Sequence, residues 1–89
     1  MVSQRTLNQR LGHNLRKLRM QKGFMQIDLA VAADTDRSYI SRVETGQARA
    51  TFRLLYRLVK ALEVTSADLI DDYAISFAKE EFLKGGGES

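Results

Sequence analysis

The 89-residue sequence contains no cysteine, no proline and no tryptophan. Without cysteine there is neither a disulfide framework nor a thiolate metal site, which fits a reducing compartment. Without proline nothing breaks a helical run from within. Glycine outside the tail is confined to Gly12, Gly23 and Gly46, so long helices are permitted. No stretch approaches the roughly 20 apolar residues that span a bilayer. The opening "MVSQRTLNQR" also lacks the hydrophobic centre of a secretory signal. The expectation is a soluble, cytoplasmic chain with no membrane partner. Acidic residues are missing from residues 1–22, where Arg5, Arg10, Arg16, Lys17, Arg19 and Lys22 stand unopposed. Residues 71–89 reverse the balance, with Asp71, Asp72, Glu80, Glu81 and Glu88 against Lys79 and Lys84. One end suits a polyanion and the other a protein surface or solvent, although solvated helix faces would give the same counts.

What is present is helical patterning. Leu7, Leu11, Leu15 and Leu18 recur at spacings of three and four, the stripe of an amphipathic helix. Thr6 with Gln9 predicts a capping box at its start and Gly23 its stop. Gly12 inside it points to a close helix contact, since glycine costs a helix about 1 kcal/mol relative to alanine. A second helix is predicted over 26–33, with Ile27, Leu29, Ala30 and Ala33 inward, and a third over 36–44. In the third, Tyr39, Ile40 and Val43 face in while Arg37, Ser38, Ser41 and Arg42 face out; Gly46 ends it. Thr51 caps a fourth helix that buries Leu54, Leu55, Leu58, Val59 and Leu62. Ser66 is expected to cap a fifth segment that runs on through Ile70, Tyr73, Phe77 and Phe82 to Lys84. No strand alternation or repeat appears, so the fold class is all-α. The expected layout is an arm over 1–5, a domain over 6–70, a helical extension over 71–84 and a flexible tail over 85–89.

Two short helices joined by a polar corner, the second apolar inside and basic or hydroxylic outside, make the geometry of a helix-turn-helix. Such a helix fits the major groove of double-stranded DNA. Arg37 and Arg42 can donate paired bonds to guanine O6 and N7, and Ser38 and Ser41 can bond bases or phosphates. Spacing alone leaves an ordinary αα corner open. His13 has no second histidine or cysteine with which to share a metal. No nucleophilic system or glycine-rich phosphate cradle is present either, so neither an enzyme nor a cofactor is expected.

The run "LGHNLRKLRMQKGFMQIDLAVAADTDRSYISRVETG", followed by "LLYRLVKALEVTSADLI", resembles the lambda-repressor-like, Cro-type (XRE) helix-turn-helix family over about residues 7–70. The resemblance implies a compact five-helix DNA-binding domain that regulates transcription, usually as a homodimer on a palindromic operator. "DRSYIS" and the short length are similar to restriction–modification controllers, a subfamily beside phage repressors and antitoxins. By position, Arg37, Ser38 and Arg42 would contact bases, with Ser41 at the margin. Gln26, Tyr39, Thr45, Gln47 and Arg49 would contact the DNA backbone, Gln26 also bridging to the recognition helix. Arg19 and Glu44 match a buried ion pair that fixes that helix.

Four positions depart from the family pattern. Met25 replaces the usual hydroxyl cap and is expected to pack, Asp34 must take the positive-φ corner, and Thr35 stands where an apolar plug is usual. The loop after Gly46 lacks a proline and is expected to be looser. Ile70, Tyr73, Phe77 and Phe82 are expected at a two-fold interface, the competing reading being that they close the monomer's own core. A protein-interaction module, such as an antitoxin or adaptor built on the same scaffold, is the rival to the DNA reader.

Overall fold

The computed structural model describes residues 3–70. They form five helices, α1 (Gln4–Gln21), α2 (Gln26–Ala32), α3 (Arg37–Glu44), α4 (Phe52–Leu62) and α5 (Ser66–Leu69), and among the described residues there is no strand. The all-α expectation holds. No helix among these residues is long and apolar enough to cross a membrane. Tyr73, Phe77 and Phe82, with the expected extension and tail, lie outside the described residues.

The helix starts follow local capping chemistry. Ser3, Asp36, Thr51 and Thr65 each accept the backbone N–H three residues on. Two expected caps are corrected. Ser3, not Thr6, opens α1, because its extended backbone lets Oγ reach the Thr6 N–H at 3.1 Å, which leaves Thr6 inside the first turn. Thr65, not Ser66, opens α5, exchanging bonds with Asp68 in a capping box. The Thr65 N–H and hydroxyl together hold the Asp68 carboxyl below its ordinary pKa range. The continuous run beyond Ser66 is also corrected. α5 closes at Leu69, and Ile70 turns to extended backbone while its N–H donates to the Ser66 carbonyl at 2.8 Å.

The helix ends share one device. After α1, α2, α3 and α4, a residue with positive φ folds the chain back, and two N–H groups satisfy the last carbonyls in a Schellman pattern. Gly23 and Gly46 hold that position after α1 and α3, whereas Asp34 and Glu63, both at φ 55°, hold it after α2 and α4. The corner at Asp34 is as expected; the left-handed Glu63 carries no glycine or asparagine to announce it.

Leu15, Leu29, Ile40, Val43, Leu58, Leu62 and Leu69 are fully buried and form the centre of the core. α1 packs on α3 and α5, and α2 packs on α3 and α4. The close approach expected at Gly12 is there: a Cβ would stand 2.3 Å from the Val43 carbonyl oxygen and 2.5 Å from that of Glu44. α1 therefore lies directly on the C-terminal end of α3. Asn14 ties the same helix to α5 by donating Nδ2–H to the Leu69 carbonyl at 3.1 Å. α2 departs from its expected stripe, since Ile27 is 50% exposed while Leu29, Ala30 and Ala33 are buried. The helix is only seven residues long and meets the core along a narrow edge.

Candidate nucleic-acid interface

The candidate site begins with a buried charge. Among the described residues Glu44 is the single charged side chain inside the core. Its position at the end of α3, beneath Gly12, forces the question of what neutralises it. Arg19 of α1 does so bidentately, Nε donating to Oε2 at 2.6 Å and Nη2 to Oε1 at 3.1 Å. The third face of the guanidinium donates through Nη1 to the Phe24 carbonyl at 2.7 Å. Both side chains are largely buried, so removing either would strand an uncompensated charge. The pair expected at Arg19 and Glu44 is present.

The network continues outward. Gln26, the first residue of α2, donates Nε2–H to Glu44 Oε1 at 3.1 Å, and its amide oxygen accepts from Arg37 Nη1 at 3.4 Å. A continuous set of bonds therefore runs from α1 through the end of α3 and the start of α2 to the first residue of α3. No buried side-chain polar atom among the described residues lacks a partner. The bridge expected of Gln26 to the third helix is made, to Arg37 at the start of α3.

Around this anchor α3 presents its outer face. Asp36 caps it by accepting the Tyr39 N–H at 2.7 Å. Arg37, Ser38 and Arg42 are exposed on one side, Ser41 is half-buried beside them, and Ile40 and Val43 fasten the opposite side to the core. The first residues of α2 and α3, Gln26 and Arg37, are joined through their side chains. Guanidinium, hydroxyl and amide donors on one face are suited to phosphate and to the acceptor edges of bases.

The segment after α3 is better held than its lack of proline suggested. The Gln47 and Ala48 N–H groups both donate to the Arg42 carbonyl, at 2.8 and 3.1 Å, and Ala48 is buried. Tyr39 donates its hydroxyl to the Arg49 carbonyl at 2.8 Å, pinning the far side. Thr45, Gln47 and Arg49 are exposed on this segment. The Thr45 hydroxyl sits within reach of the Ser41 and Arg42 carbonyls, at 3.1 and 3.2 Å, where its single hydrogen is engaged.

Met25 is corrected from packed to exposed. It stands at the cap of α2 with 68% of its surface open and no side-chain bond to the helix. Its own N–H donates to Asp28 Oδ2 at 2.8 Å, so the reciprocal half of a capping box survives without the usual hydroxyl. Asp28 is the stabilising residue that sequence reasoning missed, and its signal was an acid three residues after the cap. Met25 lines an open groove of about 480 Å³ with Arg19, Met20, Phe24, Gln26, Ile27 and Arg37. Thr35 is half-buried, as expected of a partial plug. Ile70 is half-buried against the core of its own chain. Among the described residues no group of histidine and acidic side chains could hold a metal ion.

Comparison with known proteins agrees with this geometry. A family profile described as a helix-turn-helix domain matches residues 10–72. The chain is 32% identical over 60 residues to the uncharacterised HTH-type transcriptional regulator y4dJ of Sinorhizobium fredii, covering 67% of this chain and 78% of that protein. Among solved structures it is similar to the restriction–modification controller protein C.AhdI of Aeromonas hydrophila. That similarity has a TM-score of 0.69 and 35% identity over 71% of this chain and 96% of the other. It is also similar to the clp gene regulator ClgR of Corynebacterium glutamicum, with a TM-score of 0.71 and 29% identity over 92% and 87% of the two chains. The chain belongs to the helix-turn-helix domain family, whose members matched here are transcriptional regulators and not enzymes.

Proposed function

We propose that this protein is a cytoplasmic, sequence-specific regulator that reads double-stranded DNA with α3 in the major groove and needs no cofactor. Arg37, Ser38, Arg42 and Ser41 face base edges, while Gln26, Tyr39, Thr45, Gln47 and Arg49 face the sugar-phosphate backbone. Thr45 and Tyr39 serve mainly by shaping the loop, since their hydroxyl hydrogens are engaged within the chain. The observation that carries the proposal is the bonded series Arg19, Glu44, Gln26 and Arg37, which ends on an exposed guanidinium at the start of α3. A buried ion pair spent on orienting one surface arginine is preorganisation for a ligand, and a planar bidentate donor matches guanine.

A homodimer on a palindromic operator completes the reading, with the two α3 helices about 34 Å apart, one turn of DNA. The similarity to C.AhdI favours a controller-type regulator. Selection from a random duplex library, followed by titration of the winning site at several salt concentrations, tests it. An enriched half-site, with log K falling by about 0.9 per log unit of salt for each neutralised phosphate, is expected. No enrichment and a flat salt response would refute it. The rival protein-interaction module rests on the outer side of α2, where Val31 is 74% exposed one turn on from the half-exposed Ile27. It requires a biological effect that survives loss of Arg37 and Arg42.

A further inference from the structure

One edge of α1 runs along the end of α3 and the turn behind it. Arg5, Gln9, Gly12, Arg16 and Arg19 recur at spacings of four and three, which at roughly 100° per residue places them within about 80° of the helix surface. Gly12 lies against the Val43 and Glu44 carbonyls, and Arg19 is paired with Glu44. A Cβ added to Gly46 would meet the Gln9 side chain at 2.8 Å and its Cα at 3.1 Å, so Gln9 sits on the turn that ends α3. Arg16 stands between Gly12 and Arg19 in this row, and Arg5 one turn before Gln9. Both therefore flank the segment that carries the exposed Thr45, Gln47 and Arg49. Arg19, turned inward, is neutralised. Arg5 and Arg16 are exposed, and neither makes a hydrogen bond or an ion pair among the described residues. Residues 1–22 contain no acid, so α1 supplies no carboxylate for them.

We propose that Arg5 and Arg16 each hold a phosphate of the DNA backbone beside the stretch read by α3, making α1 an outer wall of the interface. This rests on α3 being the DNA-reading helix and adds residues outside the helix-turn-helix to it. Phosphate, not a base edge, is the target: the major groove admits one helix, and α1 is packed on the end of the one that enters. Backbone contacts of this kind set register without reading sequence. A guanidinium forks onto two phosphate oxygens, as an ammonium does not. Arg5 and Arg16 are about 16 Å apart along the helix axis, too far to share one phosphate. An acidic protein surface would draw on the same charges. Continuity of the row with the segment assigned to the DNA backbone favours the polyanion at that face.

The test compares the full-length wild type with Arg5→Gln, Arg16→Gln and the double variant, by anisotropy on a selected and a scrambled duplex across a salt series. Lys17→Gln is the control, since it removes an exposed charge from the same helix about 100° round from Arg16. Each arginine substitution should weaken both duplexes by the same factor and lower the salt slope by about 0.9 per protomer. Its affinity deficit should then shrink about 3.5-fold between roughly 50 and 200 mM salt. The double variant should lose about 1.8 from the slope, and Lys17→Gln should leave it unchanged. Circular dichroism midpoints should stay at the wild-type value, because both arginines are exposed. If the wild type selects its site and the double variant keeps the full slope, this inference alone is overturned, and the row belongs to an acidic protein or to solvent. An equal loss of slope in Lys17→Gln, or a changed ratio between the two duplexes, overturns the phosphate assignment as well. Failure of the wild type to discriminate the duplexes sinks the reading of α3 together with it.

Discussion

Replacing Gly12 by alanine tests the packing of α1 on α3 with a sign that two opposing effects decide. In an exposed helix interior the change would stabilise by about 1 kcal/mol, because alanine has the higher helix propensity. Here the added Cβ would lie 2.3, 2.5 and 2.8 Å from Val43 O, Glu44 O and Glu44 C, all backbone atoms that no rotamer can move aside. Reaching ordinary contact requires α1 and α3 to separate by about 1 Å, and overpacking of this kind costs about 1–3 kcal/mol. Packing wins, so Gly12→Ala should destabilise by about 1 kcal/mol net. At 4–8 °C per kcal/mol for a domain of this size, the thermal midpoint should fall by about 5 °C. Circular dichroism melts of the wild type and Gly12→Ala measure it. DNA affinity should fall as well, because the displaced backbone carries Glu44 away from Arg19. An unchanged or raised midpoint would refute the close α1–α3 approach.

Glu44→Gln removes the charge that neutralises Arg19 in a nearly dry site and should cost about 3 kcal/mol in chemical denaturation; a loss under 1 kcal/mol would show the pair to be solvated. Met25→Ser supplies the missing half of the α2 cap, the reciprocal bond to Asp28 being already present. A hydroxyl cap is worth about 1 kcal/mol. Because Met25 is mostly exposed and little burial is lost, a net gain of about 0.5 kcal/mol is expected in the same assay, and a loss would contradict it. Glu63→Gly should stabilise by about 0.5–1 kcal/mol, since glycine holds φ near 55° without the Cβ strain of the left-handed region; destabilisation would show that the glutamate side chain matters more than its backbone.

The helix-level fold was legible because leucine periodicity and hydroxyl or acidic caps are local signals, and α1, α3 and α4 follow them closely. The misplaced caps at Thr6 and Ser66 arose where two hydroxyl residues lie near one helix start, and only backbone geometry selects which oxygen reaches the N–H. Ile27 was misassigned because apolar spacing in a seven-residue helix does not say how narrow its buried edge is. The ion pair of Arg19 and Glu44 was readable through the family pattern. The bridge from Gln26 to α3 was readable in the same way, whereas its partner Arg37 and the pinning of Arg49 by Tyr39 needed three dimensions, because they join separate elements through single atoms. Glu63 in the left-handed region carried no composition signal at all.

The central claim is that the exposed face of α3, oriented through Gln26, reads DNA sequence. Fluorescence anisotropy with a selected site and a scrambled duplex, comparing the wild type with Arg37→Ala and Arg42→Ala, tests it most directly. Each substitution should erase about 1–3 kcal/mol of discrimination between the two duplexes while leaving the thermal midpoint nearly unchanged. Equal discrimination by the wild type and both variants, or none by the wild type, would contradict the account.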